Sequence, residues 1–441
     1  MAIKQLPGVH VLHAKNTNEK APVRMPAPSQ VVVPMSQHIG APCEPLVKVG
    51  DLVTVGQVIG EATAAVSSPI HASVSGKVTA IDLIMMPDGK RHKAVTIKSD
   101  GEQTLYEGIT PPIIADYDGF VAAVRASGAV GLGGAGFPTS IKLLPPDMAA
   151  VDTLVINGAE CEPYITSDYQ IMMHRSDFVM SAVGAICKFM GIRRVVIGIE
   201  DNKPEAIAHF EKLTAGDTDF TVHVLKSLYP KGAEKVLIYE VTGGRVVEEG
   251  KLPSDVGCIV LNVGTLAFIG EYLATGVPLV EKMVTVDGGA IADPQNVIVP
   301  IGVSVREIAE FAGGYKSEPC KIIMGGPMMG MALKSDNFPL VKQNNAILFF
   351  NEKEAAPPKE TACIHCGRCV RACPYNLMPL FLEQAFKLGN VDELNKLKIN
   401  LCMECGCCSF ACPAKRNLVA SHRLAKQLVR ETQSRGEKLA N

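Results

Sequence analysis

The feature that most constrains this chain is a cysteine motif that occurs twice near its carboxyl end. Cys363-x-x-Cys366-x-x-Cys369-x-x-x-Cys373-Pro374 is followed by Cys402-x-x-Cys405-x-x-Cys408-x-x-x-Cys412-Pro413. Three closely spaced cysteines wrap three corners of an iron–sulfur cubane, and the Pro sends the fourth toward the other cluster. The expected partition is Cys363, Cys366, Cys369 and Cys412 on one [4Fe–4S] cluster, and Cys402, Cys405, Cys408 and Cys373 on the second. Zinc sites pair two CxxC units per ion and need neither the third Cys nor the Pro, so two zinc knuckles explain less of the pattern. Cys407 lies outside the spacing and reads as a small buried residue; His365, between ligands, reads as a surface residue or a neighbour of the ligands.

Nine of the 14 cysteines fall between Cys363 and Cys412, and the other five are single. A chain of 441 residues can bury several cores without disulfide staples. Clustered cysteines behind a polar start, Met1 to Glu19, read as metal ligands in a reducing compartment. No run reaches the ~18 apolar residues of a membrane span. The expectation is a chain with no transmembrane segment of its own, soluble or held at a membrane by partners. A net charge of −2, 5% aromatics and no Trp argue against a nucleic-acid partner.

Periodicity predicts a multidomain α/β and α+β chain. Residues 1–28 read as an irregular arm with Pro22, Pro26 and Pro28. Residues 29–100 hold short β-branched runs punctuated by Gly and Asp. Their text, "PLVKVGDLVTVGQVIGEA" and "SPIHASVSGKVTAID", resembles the barrel-sandwich hybrid of lipoyl and biotinyl domains. Those domains carry a modified Lys at a hairpin tip; Ala64–Ala72 has none, which predicts a docking or structural role. In 116–277, strands alternate with helices of 10–15 residues, which implies βαβ units and a Rossmann-like, largely parallel sheet. Residues 278–351 read as a β-grasp unit, 353–360 as a linker, and 361–420 as the cluster module. A basic helix starts at Leu418 and is expected to fray from Glu431, so that 421–441 forms a basic tail. Lys415, Arg416, Arg423, Lys426 and Arg430 make it either a partner surface or a solvated helix face.

The densest glycine stretch is Gly131-Leu132-Gly133-Gly134-Ala135-Gly136-Phe137. Without Cβ atoms its backbone can approach a phosphate or a flat ring, and its N–H groups can form an anion nest. Lys142, just beyond, can neutralise a phosphate. The spacing is not the dinucleotide G-x-G-x-x-G. The loop reads as a nucleotide or flavin cradle, with a tight turn as the alternative. Asn157-Gly158-Ala159-Glu160-Cys161-Glu162 follows a strand. Its two carboxylates suit a ribose or a nicotinamide amide, or equally a solvated acidic loop.

Together these residues resemble a known family. "GLGGAGFPTSIKL" and "NGAECEP" are similar to the flavin and acidic loops of the NADH-oxidising flavoprotein subunits of respiratory complex I. "YPKGAEKVLI", with Gly232 and Glu234, and "NVGT", from Asn262 to Thr265, extend the match. The whole chain resembles the C subunits of Rnf complexes, membrane-bound ion-translocating ferredoxin:NAD⁺ oxidoreductases. The resemblance implies FMN against Gly131, Gly133, Gly134 and Gly136, with Lys142, Asn157, Asn262 and Thr265 as polar contacts. It implies NADH over the flavin near Phe137, with Glu160, Glu162 and Glu234 nearby. It also implies an SLBB-like β-grasp domain, a two-cluster ferredoxin domain, partner Rnf subunits, and a peripheral place on the cytoplasmic face of the cell membrane. The chain departs from the complex I subunits at Leu132, Ala159 and Tyr164, where they carry Arg, Asp and Gly. Two rivals share features of this architecture: a cobalamin reductase of bacterial microcompartments, and a non-catalytic electron-wiring subunit, for which Ala159 speaks.

Overall fold

A computed structural model describes residues 6–440. The first β unit has two facing sheets. Gln30–Pro34, Arg91–Ser99, Gly76–Met85 and Leu52–Val53 form one, and Glu44–Pro45, Val58–Glu61 and Ile70–His71 form the other. Strand side chains alternate between faces. Val31 and Val33 therefore point inward, opposite Ile97 and Val95 of the antiparallel partner, and all four are buried. Thr63–Ala65 is exposed, but Ser67 through Ala72 is buried. Arg125 of the next domain ties the same stretch down, bonding the Glu61 carboxylate at 2.7 Å and the Ala62 carbonyl. This is a docked domain, with no mobile lysine arm at that hairpin.

The α/β domain carries four parallel strands in the order Phe220–Leu225, Arg194–Glu200, Thr153–Gly158, Cys258–Asn262. Alternation sorts their side chains. Leu154, Ile156, Val195, Ile197, Ile259 and Leu261 meet one helical layer. Val155, Val196 and Val260 meet the helix Glu234–Thr242 on the other face. The helices Ser176–Met190 and Val263–Thr275 pack so closely that a Cβ on Gly270 would lie 2.0 Å from the Phe178 carbonyl oxygen. The strand order reverses beside Thr153–Gly158, where one neighbour comes next in sequence and the other much later. Open parallel sheets bind ligands at the carboxyl ends of strands at such a switch point. Asn157 and Asn262 stand there, opposite each other in register.

The third unit is a six-stranded mixed sheet with the helix Val305–Phe311. Its edge strand, Val23–Arg24, comes from the arm and pairs in parallel with Gln295–Pro300. The arm is thus threaded into the fold, where the sequence predicted an irregular segment. Its backbone carbonyls are held by side chains of other units: Asn296 donates to the Thr17 carbonyl, and Gln170 to the Asn18 carbonyl.

The cluster module holds the helices Arg368–Ala372, Pro379–Lys387, Val391–Lys396, Cys407–Phe410 and Leu418–Ala440. The cysteine repeat is also a backbone repeat. His365 and Glu404, Gly367 and Gly406, and Asn376 and Lys415 hold matching places in the two motifs, and all six have positive φ. Two expectations need correction. Residues 352–355 form a helical turn capped by Asn351, so the linker begins later than predicted. The last helix runs to Ala440 instead of fraying from Glu431; its stretch from Glu431 is rich in helix formers and has no Pro.

Candidate functional site

A cleft of about 810 Å³ opens over the switch point, within the usual range of ligand pockets, about 300–1,000 Å³. Gly131, Gly133 and Gly134 form one wall, and Lys142, Asn157, Glu160, Glu162, Glu234, Asn262 and Thr265 also line it. Asn262 caps Val263–Thr275 by accepting from the Gly264 and Thr265 N–H groups, and donates to Asp168 at 2.7 Å. The Thr265 hydroxyl accepts from the Leu132 N–H at 3.0 Å, which holds the glycine loop from beneath. A Cβ on Gly133 would press the Asn262 side chain at 3.0 Å. Gly134 has φ +114°, and a Cβ there would meet nothing within 4 Å. The loop therefore offers bare backbone to the cleft, as a flat ring or a phosphate requires.

The cleft's polar groups are unevenly satisfied. Lys142 pairs with Glu234 and reaches the Val260 carbonyl. Asn157 donates to the Gly232 carbonyl at 2.7 Å. Glu162 accepts from the Met328 and Met329 N–H groups at 3.0 and 2.9 Å, joining the acidic loop to the β-grasp unit. Glu160 accepts from the Asp168 N–H at 2.6 Å, but its Oε2 has no hydrogen-bond partner; neither has the buried Thr139 hydroxyl on the same cleft. Burial pushes the Glu160 carboxyl up to about 7, against the pull of Lys15, and burial likewise raises Glu162 to about 7. Orphaned polar atoms beside bare glycine backbone fit a flavin and its nucleotide partner.

The same cleft is lined at its far end by Tyr375, Cys402, Met403 and Lys426 of the cluster module. Cys402 also borders a smaller cavity with Cys405, Cys408 and Cys373, so one residue lines both spaces. Cys373 thus stands among the three close cysteines of the other motif, and Cys369 feels the charge of Cys412. Among the described residues, no three His, Cys, Asp or Glu side chains close on a point that could hold a single ion. Cys373, Cys402, Cys405 and Cys408 line one small cavity together. Cys407 is buried, and its thiol donates to the Tyr229 carbonyl; His365 is exposed.

Comparison with known proteins agrees part by part. Residues 4–102 match the RnfC barrel sandwich hybrid domain, 124–271 the Nuo51 FMN-binding domain, 283–332 the SLBB domain, and 362–415 the 4Fe–4S dicluster domain. The C subunit of the Na⁺-translocating ferredoxin:NAD⁺ oxidoreductase complex from Acetobacterium woodii is 43% identical over 95% of this chain and 96% of its own length. The proton-translocating counterpart from Clostridium ljungdahlii is 42% identical over 85% of this chain and 83% of its own. The chain belongs to the RnfC family. The C subunit of the ion-translocating oxidoreductase complex from Rhodobacter capsulatus is 39% identical over 97% of this chain and 83% of its own. A chain of an NAD⁺-reducing [NiFe]-hydrogenase shares the fold, with a TM-score of 0.50 at 18% identity over 71% of this chain and 62% of that one. The chain carries an FMN-binding domain and a 4Fe–4S dicluster domain. Among the described residues, no helix is long and apolar enough to cross a membrane.

In this RnfC-family chain two expected cofactor residues stand apart from the rest. Gly136 and Phe137 do not line the cleft: Gly136 is buried, its carbonyl accepts from the Ile39 N–H, and a Cβ there would touch Gln343. The basic tail is largely spent on internal pairs. Arg416 binds Glu383 at 2.6 Å, while Arg423 and Lys426 both bind Glu404. Sequence reasoning missed the residues that distant segments bring to the site. His38, Asp88 and His92 of the barrel-sandwich unit line the cleft, and Asp168 and Lys15 flank Glu160. His38 lies in "SQHIGAP" (36–42), which has no recognisable ligand spacing.

Proposed function

We propose that the chain is the NAD(H)-interacting electron-transfer subunit of a membrane-bound, ion-translocating ferredoxin:NAD⁺ oxidoreductase, held on the cytoplasmic face by its partner subunits. The observation that carries this reading is the shared wall: one cleft runs from the glycine loop to Cys402. FMN would be held by Gly131, Gly133 and Gly134 with Lys142, Asn157, Asn262 and Thr265, and NAD(H) would meet Glu160, Glu162 and Glu234. A bound flavin supplies the exchange between electron pairs and single electrons. The protein's part is positioning: Thr265 and Asn262 fix the glycine loop, and Glu162 fixes the acidic loop to the β-grasp unit. The proposed cluster ligands are Cys363, Cys366, Cys369 and Cys412, and Cys402, Cys405, Cys408 and Cys373. Domain limits of 29–100, 116–277, 278–351 and 361–420 follow the same division. The hydrogenase likeness shows the fold alone.

The test is an anaerobic NADH titration of the full chain with clusters, with and without FMN. Bleaching of cluster absorbance only when FMN is present supports the reading. Clusters that dithionite reduces but NADH leaves oxidised in both samples would favour the wiring-subunit alternative.

A further inference from the structure

The arm lysine Lys15 is bonded to the backbone of the acidic loop. Its ammonium donates to three backbone carbonyls, Glu160 at 2.9 Å, Glu162 at 3.0 Å and Ile165 at 2.6 Å, which satisfies all three of its donors. It also stands 4.0 Å from Oε2 of Glu160, the buried carboxylate oxygen that has no hydrogen-bond partner, on a residue that lines the cleft. The loop it clamps is an unusual one. Glu160 has φ +46° and Tyr164 φ +68°. Non-glycine residues persist in that region only where their surroundings over-determine them. The neighbouring arm residue adds to the clamp, since the Tyr164 N–H donates to the His13 carbonyl at 3.0 Å.

We propose that Lys15 is a positioning residue of the NAD(H) site, which holds the 160–165 loop in its left-handed shape and favours the ionised form of Glu160. The proposal rests on the NAD(H) reading above for the role of Glu160, and adds to it a residue supplied by the amino-terminal arm. The charge balance around Glu160 is specific. Lys15 and Lys203 favour its carboxylate, and Asp168 opposes it. Lys203 is already engaged, bonding the Ala159 carbonyl at 2.7 Å and lying 3.6 Å from Glu200. Lys15 in turn faces Glu160, Lys203, Glu200 and Cys161, and burial lowers it to about 8. Lys15 is thus the larger cationic influence on a carboxyl that burial has already raised to about 7. Removing it leaves the protonated acid favoured to a higher pH.

The experiment uses the full chain, reconstituted anaerobically with FMN and clusters, as wild type, Lys15→Met, Lys15→Arg, Glu160→Gln and the Lys15→Met/Glu160→Gln double variant. Two quantities are read: amide hydrogen exchange of the segment 159–166, and KM for NADH as a function of pH. Lys15→Met is expected to speed exchange in that segment at least tenfold and to move the carboxylate limb of the KM profile up by about one pH unit, tenfold in proton affinity. Lys15→Arg keeps the charge and restores the limb. In the Glu160→Gln background, Lys15→Met moves no limb. Unchanged exchange, or a limb that stays in place in Lys15→Met, overturns the proposal. If that variant does not fold, Lys15→Gln, which keeps a donor without the charge, is read against the same two outcomes. If wild type does not react with NADH at all, it is the functional reading that fails, and exchange alone then decides whether Lys15 holds the loop.

Discussion

Cys373 carries the sharpest residue-level test, because sequence and structure place it with the other motif's cysteines. Cys373→Ser should remove the cluster of Cys402, Cys405 and Cys408 and lower iron content by about half, read by iron analysis and EPR, with the second signal retained. Cys407→Ala should leave the iron content at its wild-type level, since its thiol bonds the Tyr229 carbonyl from outside the ligand spacing. The cysteine pattern was legible because a cubane imposes a fixed local spacing. Lys15 was not legible, because its partner Glu160 lies 145 residues away and nothing local marks an arm lysine as buried. Glu162 and Glu234 were read as ligand acceptors, yet each also answers to a protein partner: the Met328 and Met329 amides for one, Lys142 for the other. A sequence shows which residues can accept a hydrogen bond, and only packing shows which are already satisfied.

Elements obey local rules best where periodicity is long. The strands Thr153–Gly158 and Arg194–Glu200, and the helix Ser176–Met190 with its Gly191 cap, fell where alternation and helical spacing put them. The helix Pro204–Leu213 closes at Thr214, whose N–H donates to the Phe210 carbonyl. The two-residue strand Val23–Arg24 lay beyond any periodic signal; only its partner in Gln295–Pro300 makes it a strand. Contact between elements sets the next prediction. Gly270 allows Val263–Thr275 to touch the backbone of Ser176–Met190, so Gly270→Ala should cost about 3 kcal/mol or more by overpacking, seen as a lower unfolding midpoint. Asn262→Ala should cost about 1 kcal/mol as a lost helix cap. It should also weaken FMN binding beyond that, because Asn262 supports Gly133; a fluorescence titration of FMN checks this.

At the scale of the whole molecule, buried charges stitch the units together and give stability a pH signature. Lys282 of the β-grasp unit bonds the Leu132 carbonyl of the glycine loop, and Lys342 bonds the Pro69 and Gly128 carbonyls across the barrel-sandwich and α/β units. Burial lowers both lysines to about 7 from their ordinary 10.5. Between those values the unfolded chain binds more protons than the folded one, so their contribution to stability rises with pH across that window. Anaerobic thermal melts should show the unfolding midpoint rising from pH 7 to pH 9, and a Lys282→Met/Lys342→Met chain should show a shallower rise, the remainder coming from Lys15, which burial lowers to about 8; a midpoint that falls over this range in wild type contradicts it. The same stitching places the cluster module against the flavin domain, where the Tyr229 hydroxyl bonds the Cys405 carbonyl at 2.8 Å. The domain order was legible from composition and motif. The shared cleft was not, because it is made by residues from four units that meet only in the folded chain. The most direct test of that cleft as an electron path is low-temperature EPR of the anaerobic, FMN-loaded chain frozen after one addition of NADH. A reduced [4Fe–4S] signal that Cys402→Ser diminishes is expected. An EPR-silent sample that gives the full cluster signal with dithionite would contradict it.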